Sequence, residues 1–323
     1  MPRNTPSRRK SGVPPLPGIT DKKLLTAYAV ALRYLRRSYV TGVGIGYAME
    51  DETFTQELAL CIHVREKRPI DALTKAQVLP RRLKGVRVDV VRRSFVQQMT
   101  SSEYEARQKT RQDPLRPGAL LKTDKSGAGT IGLLVKGMKD GQRYILTAGH
   151  VLDGGARNVY QPMRSVAPTP VGTVAGQVHQ LVDAGLVGYD GRAAENRPIA
   201  SSVRITSLRV PGLNDTLTVS GAYSGATAGW VSWIGTSAVG IGSGTDHHGG
   251  DVSHIKVLGF VVHPLDAASG VLTQKGDSGA LWFDAETGAA VGLHVGSHVD
   301  EHGHICALAC DMTAVMDRLR VTL

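Results

Sequence analysis

Two short stretches limit what this chain can fold into more than all of its remaining length. Tyr144-Ile145-Leu146-Thr147-Ala148-Gly149-His150 is a strand-like apolar run that ends on a histidine, and Lys275-Gly276-Asp277-Ser278-Gly279-Ala280 sets a serine between glycines. Between them, Leu181-Val182-Asp183-Ala184-Gly185-Leu186-Val187 places a lone carboxylate in an apolar strand. These three residue types have complementary chemistry. A serine hydroxyl is a poor nucleophile until a base takes its proton, and His150 suits that role for Ser278. An imidazole needs one fixed tautomer, which a buried carboxylate on its other nitrogen supplies; Asp183 is the candidate. Asp153 lies too near His150 in sequence, and Asp190 sits in a Gly-Tyr-Asp-Gly turn. Around the serine, Gly276 and Gly279 permit a tight turn in which the N–H groups of Gly276 and Ser278 converge on a developing oxyanion.

The order His, Asp, Ser is that of the chymotrypsin group. At these words the chain resembles a trypsin-like, chymotrypsin-fold serine peptidase. The resemblance implies a mainly β architecture, a double β-barrel of short strands with Gly turns, and a protein or peptide as substrate. Scarce aromatics (5%) and 38 glycines suit such a chain.

A length of 323 residues is enough for about two domains. A peptidase of this kind takes about 200 residues and leaves room for a second, smaller unit. No segment approaches the roughly 20 apolar residues of a membrane span. The basic start, Met1 to Lys10, is followed by Pro and Gly rather than an apolar core, so it does not read as a signal peptide. Cys61, Cys306 and Cys310 make no disulfide framework. These points lead us to expect a cytoplasmic enzyme of restricted proteolysis. The net charge of +10 is uneven. Residues 1–37 hold nine Lys/Arg against one acid, residues 38–118 hold fourteen against ten, and residues 119–323 hold fifteen against seventeen. The basicity therefore belongs to the N-terminal end. It reads as a solvated tail, because no aromatic interleaving or nucleic-acid motif accompanies it.

Residues 1–19 are expected to be a disordered basic tail, residues 20–95 a small α/β unit, residues 96–116 a linker and residues 117–323 the peptidase domain. Asp21 can cap a helix with Leu24, Leu25, Tyr28, Leu32 and Leu35 on one face. Strands follow at Tyr39–Tyr47, Glu57–Val64 and Val86–Val91, with a short helix near Ile70–Ala76. The Gly42/Gly44/Gly46 run lacks dinucleotide-fingerprint spacing, and Cys61 and His63 read as packing residues. Gly-Val-Gly-Ile-Gly-Tyr, Lys67-Arg68-Pro69, Pro80 to Val90, Arg116-Pro117-Gly118 and Gly127-Ala128-Gly129-Thr130-Ile131-Gly132 resemble bacterial trypsin-like peptidases related to the plant Nal1 proteins. A unit of this kind ahead of a peptidase can act as a prodomain, a folding aid or a docking site for a regulatory partner. The polar linker suggests a cleavable tether, one the enzyme itself could process, as in a zymogen.

The resemblance also implies pocket residues. Leu272, six before the serine, would line the pocket floor, leaving no carboxylate to pair a substrate Arg or Lys. Thr273, Lys275, His294 and Ser297 would offer hydrogen bonds and positive charge to an acidic side chain before the cut, since His294 and Ser297 fall where glutamyl endopeptidases carry His and Ser. Ala222, Tyr223 and Ser224 depart from the family's usual Gly-Arg-Thr-Thr-Gly-like strand. Asp311 caps a terminal helix with Met312, Val315, Met316 and Leu319 on one face. His294, His298, His302, His304, Cys306 and Cys310 include chelating spacings, but their Gly-rich, strand-like context reads as a hairpin; no metal and no cofactor is expected. The alternative to catalysis is a latent or non-catalytic binding protein that keeps the peptidase fold.

Overall fold

The computed structural model describes residues 16, 18–50, 53–97, 110–125, 127–166, 168–189, 191–199, 201–240, 254–265, 272–299 and 305–323. Most of the expected tail, linker residues 98–109, Asp190, His302 and His304 lie outside the described residues.

The chain opens with α1 (Lys22–Ala31), whose first turn is capped by Asp21: its carboxylate accepts from the N–H groups of Lys23 (2.7 Å) and Leu24 (3.1 Å). A 3-10 turn over Leu32–Arg36 continues it. Leu24, Ala27, Tyr28 and Ala31 are buried, and Leu25, Leu32 and Leu35 pack at the margin. An antiparallel hairpin follows, β1 (Val40–Glu50) and β2 (Thr53–Val64). Next come β3 (Arg82–Leu83), β4 (Val86–Arg92), which runs parallel to β2, and β5 (Phe95–Gln97). The expected helix near Ile70–Ala76 is only a single 3-10 turn, Ile70–Ala72. Ile70 is exposed, so the segment has no apolar face to bury, and one turn cannot offset helix nucleation without it.

Seven strands and one late one make the first barrel: β6 (Leu120–Thr123), β7 (Ala128–Thr130), β8 (Leu133–Gly137), β9 (Arg143–Thr147), β10 (Asn158–Tyr160), β11 (Gly172–Val178) and β12 (Ala184–Tyr189). They curl in the order β8-β9-β12-β11-β10-β6-β7. The second barrel is β13 (Ser207–Leu208), β14 (Thr216–Gly221), β15 (Gly225–Gly240), β16 (His254–Pro264), β17 (Leu281–Asp284), β18 (Ala289–Val299) and β19 (Ile305–Asp311). Its order β14-β17-β18-β19-β16-β15 closes on itself through the β14–β15 hairpin. The helix α2 (Met312–Leu319), capped by Asp311, buries Met312, Val315 and Met316, and β20 (Val321–Thr322) then pairs with β8 at the edge of the first barrel. The architecture is mainly β, a chymotrypsin-like double β-barrel.

The second sheet does not stop at its barrel. Beyond Val231 the free edge of β15 takes β1, with Gly44 opposite Gly235 and Gly46 opposite Trp233, and the sheet continues through β2, β4 and β3. One core accordingly contains Leu24, Tyr28, Val43, Ile45 and Leu60 together with Val219, Ile234, Phe260 and Trp282, and Leu16 is buried in it as well. The glycine run of β1 explains itself there. A Cβ on Gly44 would lie 2.3 Å from the Trp233 ring, and one on Gly42 would lie 2.8 Å from His63 Nδ1. His63 is stacked on Trp233 at 4.6 Å between ring centroids. A second core lies between the barrels, where Leu133, Leu146 and Ala184 of the first meet Leu281, Leu293 and Val257 of the second, sealed by α2 and by Phe95.

Candidate active site

The three residues singled out above arrive from separate elements at the seam between the barrels. His150 sits in the 3-10 turn Gly149–Leu152 that follows β9. Asp183 directly precedes β12, and Ser278 lies in the turn ahead of β17. His150 Nδ1 contacts Asp183 Oδ2, and the main-chain N–H of His150 donates to Asp183 Oδ1 at 3.0 Å. On the other side of the ring, Nε2 lies 2.8 Å from Ser278 Oγ. Gly149 keeps the approach open, because a Cβ there would meet Asp183 Oδ1 at 2.7 Å. Burial by itself would raise the pKa of Asp183, but the neighbouring His150 and His179 outweigh it and hold the carboxyl well below the usual carboxylate range.

The serine turn is organised from four sides. Gly276 and Gly279 have φ of +98° and +87°, conformations open to glycine at little cost. The Asp277 carboxylate is fully buried and accepts main-chain N–H groups from Gln274 (2.8 Å), Tyr223 (2.9 Å) and Ser224 (3.2 Å). Its pKa is raised by burial, against the pull of those donors. Tyr223 and Ser224, the departures from the family strand, thus contribute through their backbone. Thr130 of β7 adds two more ties, with its N–H donating to Ser278 O at 2.8 Å and its Oγ1 donating to Gly276 O at 2.9 Å. Gly279 N–H donates to His294 O at 2.8 Å. The N–H of Gly276 meets no acceptor among the described residues.

The pocket residues divide. Leu272 is buried among Trp282, Val291 and Ala280 in the core, and its carbonyl accepts from Thr227 Oγ1 at 2.5 Å. Thr273 is buried, with its hydroxyl lacking a hydrogen-bond partner among the described residues. Lys275 is exposed. His294 is fully buried beside Trp282, and burial, with His150 nearby, pushes it down to about 3, so it is neutral at ordinary pH. Ser297 is buried on β18. No group of three or more His, Cys, Asp or Glu among the described residues is placed to hold a metal ion. Cys306 and Cys310 are free buried thiols, and Cys310 Sγ accepts the N–H of Asp183 at 3.3 Å.

One residue of this site went unread in the sequence. His179 Nδ1 lies 3.2 Å from Asp183 Oδ1, and its Nε2 lies 3.1 Å from Asp153 Oδ1. Hydrogen bonds to Asp153 and then Asp183 push it up to about 10. Asp183 therefore serves two imidazoles, and Asp153, set aside as an orienting group for His150, orients His179 instead.

No protein-family model matches the chain, and no curated protein does; the Nal1-type resemblance has no counterpart at that level. Among the helices of the described residues, none is long and apolar enough to cross a membrane. Solved structures do match. A glutamic acid-specific serine protease described as using a histidine triad in substrate binding aligns with a TM-score of 0.50 at 22% identity, over 65% of this chain and 100% of its own. Protease A of Thermobifida fusca (TM-score 0.48, 20% identity, 65% and 97%) and the Nocardiopsis protease (0.49, 16%, 66% and 99%) also align. At such identities the likeness speaks for the fold alone, and it rests on the first of these matches: the chain has a chymotrypsin-like fold.

Proposed function

We propose that this chain is a serine endopeptidase that hydrolyses peptide bonds through an acyl-enzyme. The observation that supports it most is the 2.8 Å approach of His150 Nε2 to Ser278 Oγ, with Asp183 on the opposite ring nitrogen. In this reading Ser278 Oγ attacks the substrate carbonyl carbon while its proton passes to His150 Nε2. Asp183, kept ionised, holds the tautomer and stabilises the imidazolium. The carbonyl π electrons move onto oxygen, which receives the N–H groups of Gly276 and Ser278. Collapse breaks the C–N bond, and the leaving amine takes the proton from His150. Water then attacks the ester in the same way, releasing the acid and restoring Ser278.

We extend the proposal to an acidic residue before the cut, read by Thr273, His294 and Ser297 with Lys275 nearby. A neutral His294 offers a hydrogen bond rather than a fixed charge, so the preference would rest on donors and the single exposed cation. The histidine triad belongs to the solved protease; here Trp282 lies beside His294, with 6.4 Å between ring centroids. Full burial of Ser278 favours a second reading, a latent peptidase-fold binding or regulatory protein.

A small fluorophosphonate probe tests the central reading. Labelling of the intact chain that disappears in Ser278→Ala and His150→Ala is the expected result, and Ser278→Ala should still fold, with a stability change of no more than about 1–3 kcal/mol from the lost buried hydrogen bond to His150. An unlabelled, folded protein would favour the binding reading. Peptides that differ only in Glu, Leu or Arg before the cut separate the specificities, and faster cleavage after Arg would sink the acidic preference.

A further inference from the structure

A peptide whose carbonyl is to meet Ser278 must lie extended beside the serine turn, and extended peptides bind by adding a strand to an open sheet edge. The edge beside this turn belongs to β18. β17 covers one side of β18 only as far as Leu281 opposite Leu293. The next residue, His294, is joined to the serine turn itself: its carbonyl accepts Gly279 N–H and its N–H donates to Ala280 O, both at 2.8 Å. Beyond it, the same side of β18 would be free for a ligand, since β19 covers the other side from Gly292 to Val299. It is not free. β5 pairs there, with Gly296 opposite Gln97 and Ser297 opposite Val96.

The pairing is antiparallel, so β5 runs from Ser297 towards His294 and its C-terminal end points at the serine turn. The strand is firmly held. Its other side pairs in parallel with Val239 and Gly240 of β15. Phe95 is only 1% exposed, wedged near His63 and His298 with ring centroids 6.3 Å from each. Just before it, Arg93 is buried with Nη2 3.0 Å from His263 Nε2, and Ser94 O is 3.1 Å from His298 Nδ1. The described chain resumes at Thr110, in a cavity of about 240 Å³ that Thr110 and Gln112 share with Gly221 and Ala222. Gly221 abuts the serine turn from that side, since a Cβ on it would lie 2.4 Å from Asp277 Oδ1. The chain thus leaves along one flank of the turn and returns on another.

We propose that residues 95–97 hold, in cis, the strand edge on which the acyl side of a peptide substrate docks, so that the intact chain occludes its own cleft and a substrate must displace β5. This rests on the catalytic reading above. It predicts that small and extended reagents behave differently. A fluorophosphonate needs only the nucleophile and the oxyanion donors. A tripeptidyl phosphonate also needs the edge.

The test labels the full chain, Val96→Pro and Phe95→Ala with a small fluorophosphonate and with tripeptidyl phosphonates ending in Glu, Leu or Arg. Val96→Pro removes a ladder donor, and Phe95→Ala removes the anchor. The small probe should label all three proteins at similar rates. The best tripeptidyl probe should label both variants about tenfold or more faster than the wild type, the factor expected when about one molecule in ten has the edge open. Equal tripeptidyl rates on all three would overturn the occlusion while leaving the catalytic reading intact. Failure of the small probe on every protein would overturn the catalytic reading and the substrate role of the edge with it. Should a variant fail to fold, hydrogen exchange of wild type decides: the amides of 95–97 should be protected in the free chain and lose protection once the tripeptidyl group is attached, and protection that persists in the labelled chain would refute the displacement.

Discussion

At the scale of single residues, the shared carboxylate has consequences that can be measured. His179 is held between Asp153 and Asp183, and its pKa is raised to about 10 from an ordinary value near 6.5. A histidine whose folded value is raised contributes stability that is fully present below its unfolded value and lost as pH rises through the folded one. The melting temperature of His179→Ala should therefore fall furthest below wild type near pH 6, and the gap should close towards pH 10. A gap independent of pH would mean that His179 carries no charge here. With Asp183 steadied from one side only, fluorophosphonate labelling of the variant should also slow, by about tenfold in line with a lost charge-assisted hydrogen bond of about 1.5 kcal/mol, and His179→Gln should recover part of it. The sequence shows both residues but not their meeting. Leu181 between them adopts φ of +67°, which folds His179 back onto Asp183, and nothing in a leucine announces a left-handed backbone. His150, Asp183 and Ser278 were legible for the opposite reason: each follows or precedes an apolar strand whose pattern fixes where the polar residue emerges.

Among the elements, β7 and the loop after it explain a motif that sequence alone left without a task. Gly127-Ala128-Gly129-Thr130-Ile131-Gly132 lies against the serine turn so closely that a Cβ on Gly129 would stand 2.8 Å from Ser278 O and one on Gly132 would stand 2.3 Å from Gly279 O. Both contacts are to backbone, which cannot rotate away. Gly132→Ala should lower stability by about 1–3 kcal/mol, the usual effect of overpacking, and reduce labelling more than that loss of folded protein accounts for. Wild-type labelling in a folded Gly132→Ala protein would show that the turn tolerates displacement. The alternating Leu58, Leu60, Ile62 and Val64 revealed β2 but not its burial: Leu58 is exposed, and Ala59, Cys61 and His63 on the opposite face are buried along with Leu60, Ile62 and Val64. β5 was not legible, because three residues give no period and both its partners lie far along the chain. The same distance hid the pairing of β1 with β15.

For the whole molecule, that pairing ties residues 20–95 to the second barrel through a common core rather than through a flexible join. A chain beginning at Thr110 would expose the β15 edge at residues 233–237 and strip Ile234, Leu258 and Phe260 of their cover from Tyr28, Val43 and Leu60. We expect such a chain to lose its cooperative thermal transition and to associate; a monomer melting as sharply as the full chain would refute this. The described N-terminal residues and the near-neutral barrels belong in this sense to one fold.

The β1–β15 ladder also sets an order of events in time. The contact of Tyr28 Oη with Thr236 Oγ1, 2.8 Å long, joins residues 208 apart in the chain. At a synthesis rate of roughly 5–20 residues per second, the outer edge of β1 waits about 10–40 seconds on the ribosome before the strand that completes it exists. For that interval a glycine-rich strand stands with one row of main-chain groups unmatched, and whatever shields it in the growing chain is as much a part of making this protein as the barrels that follow.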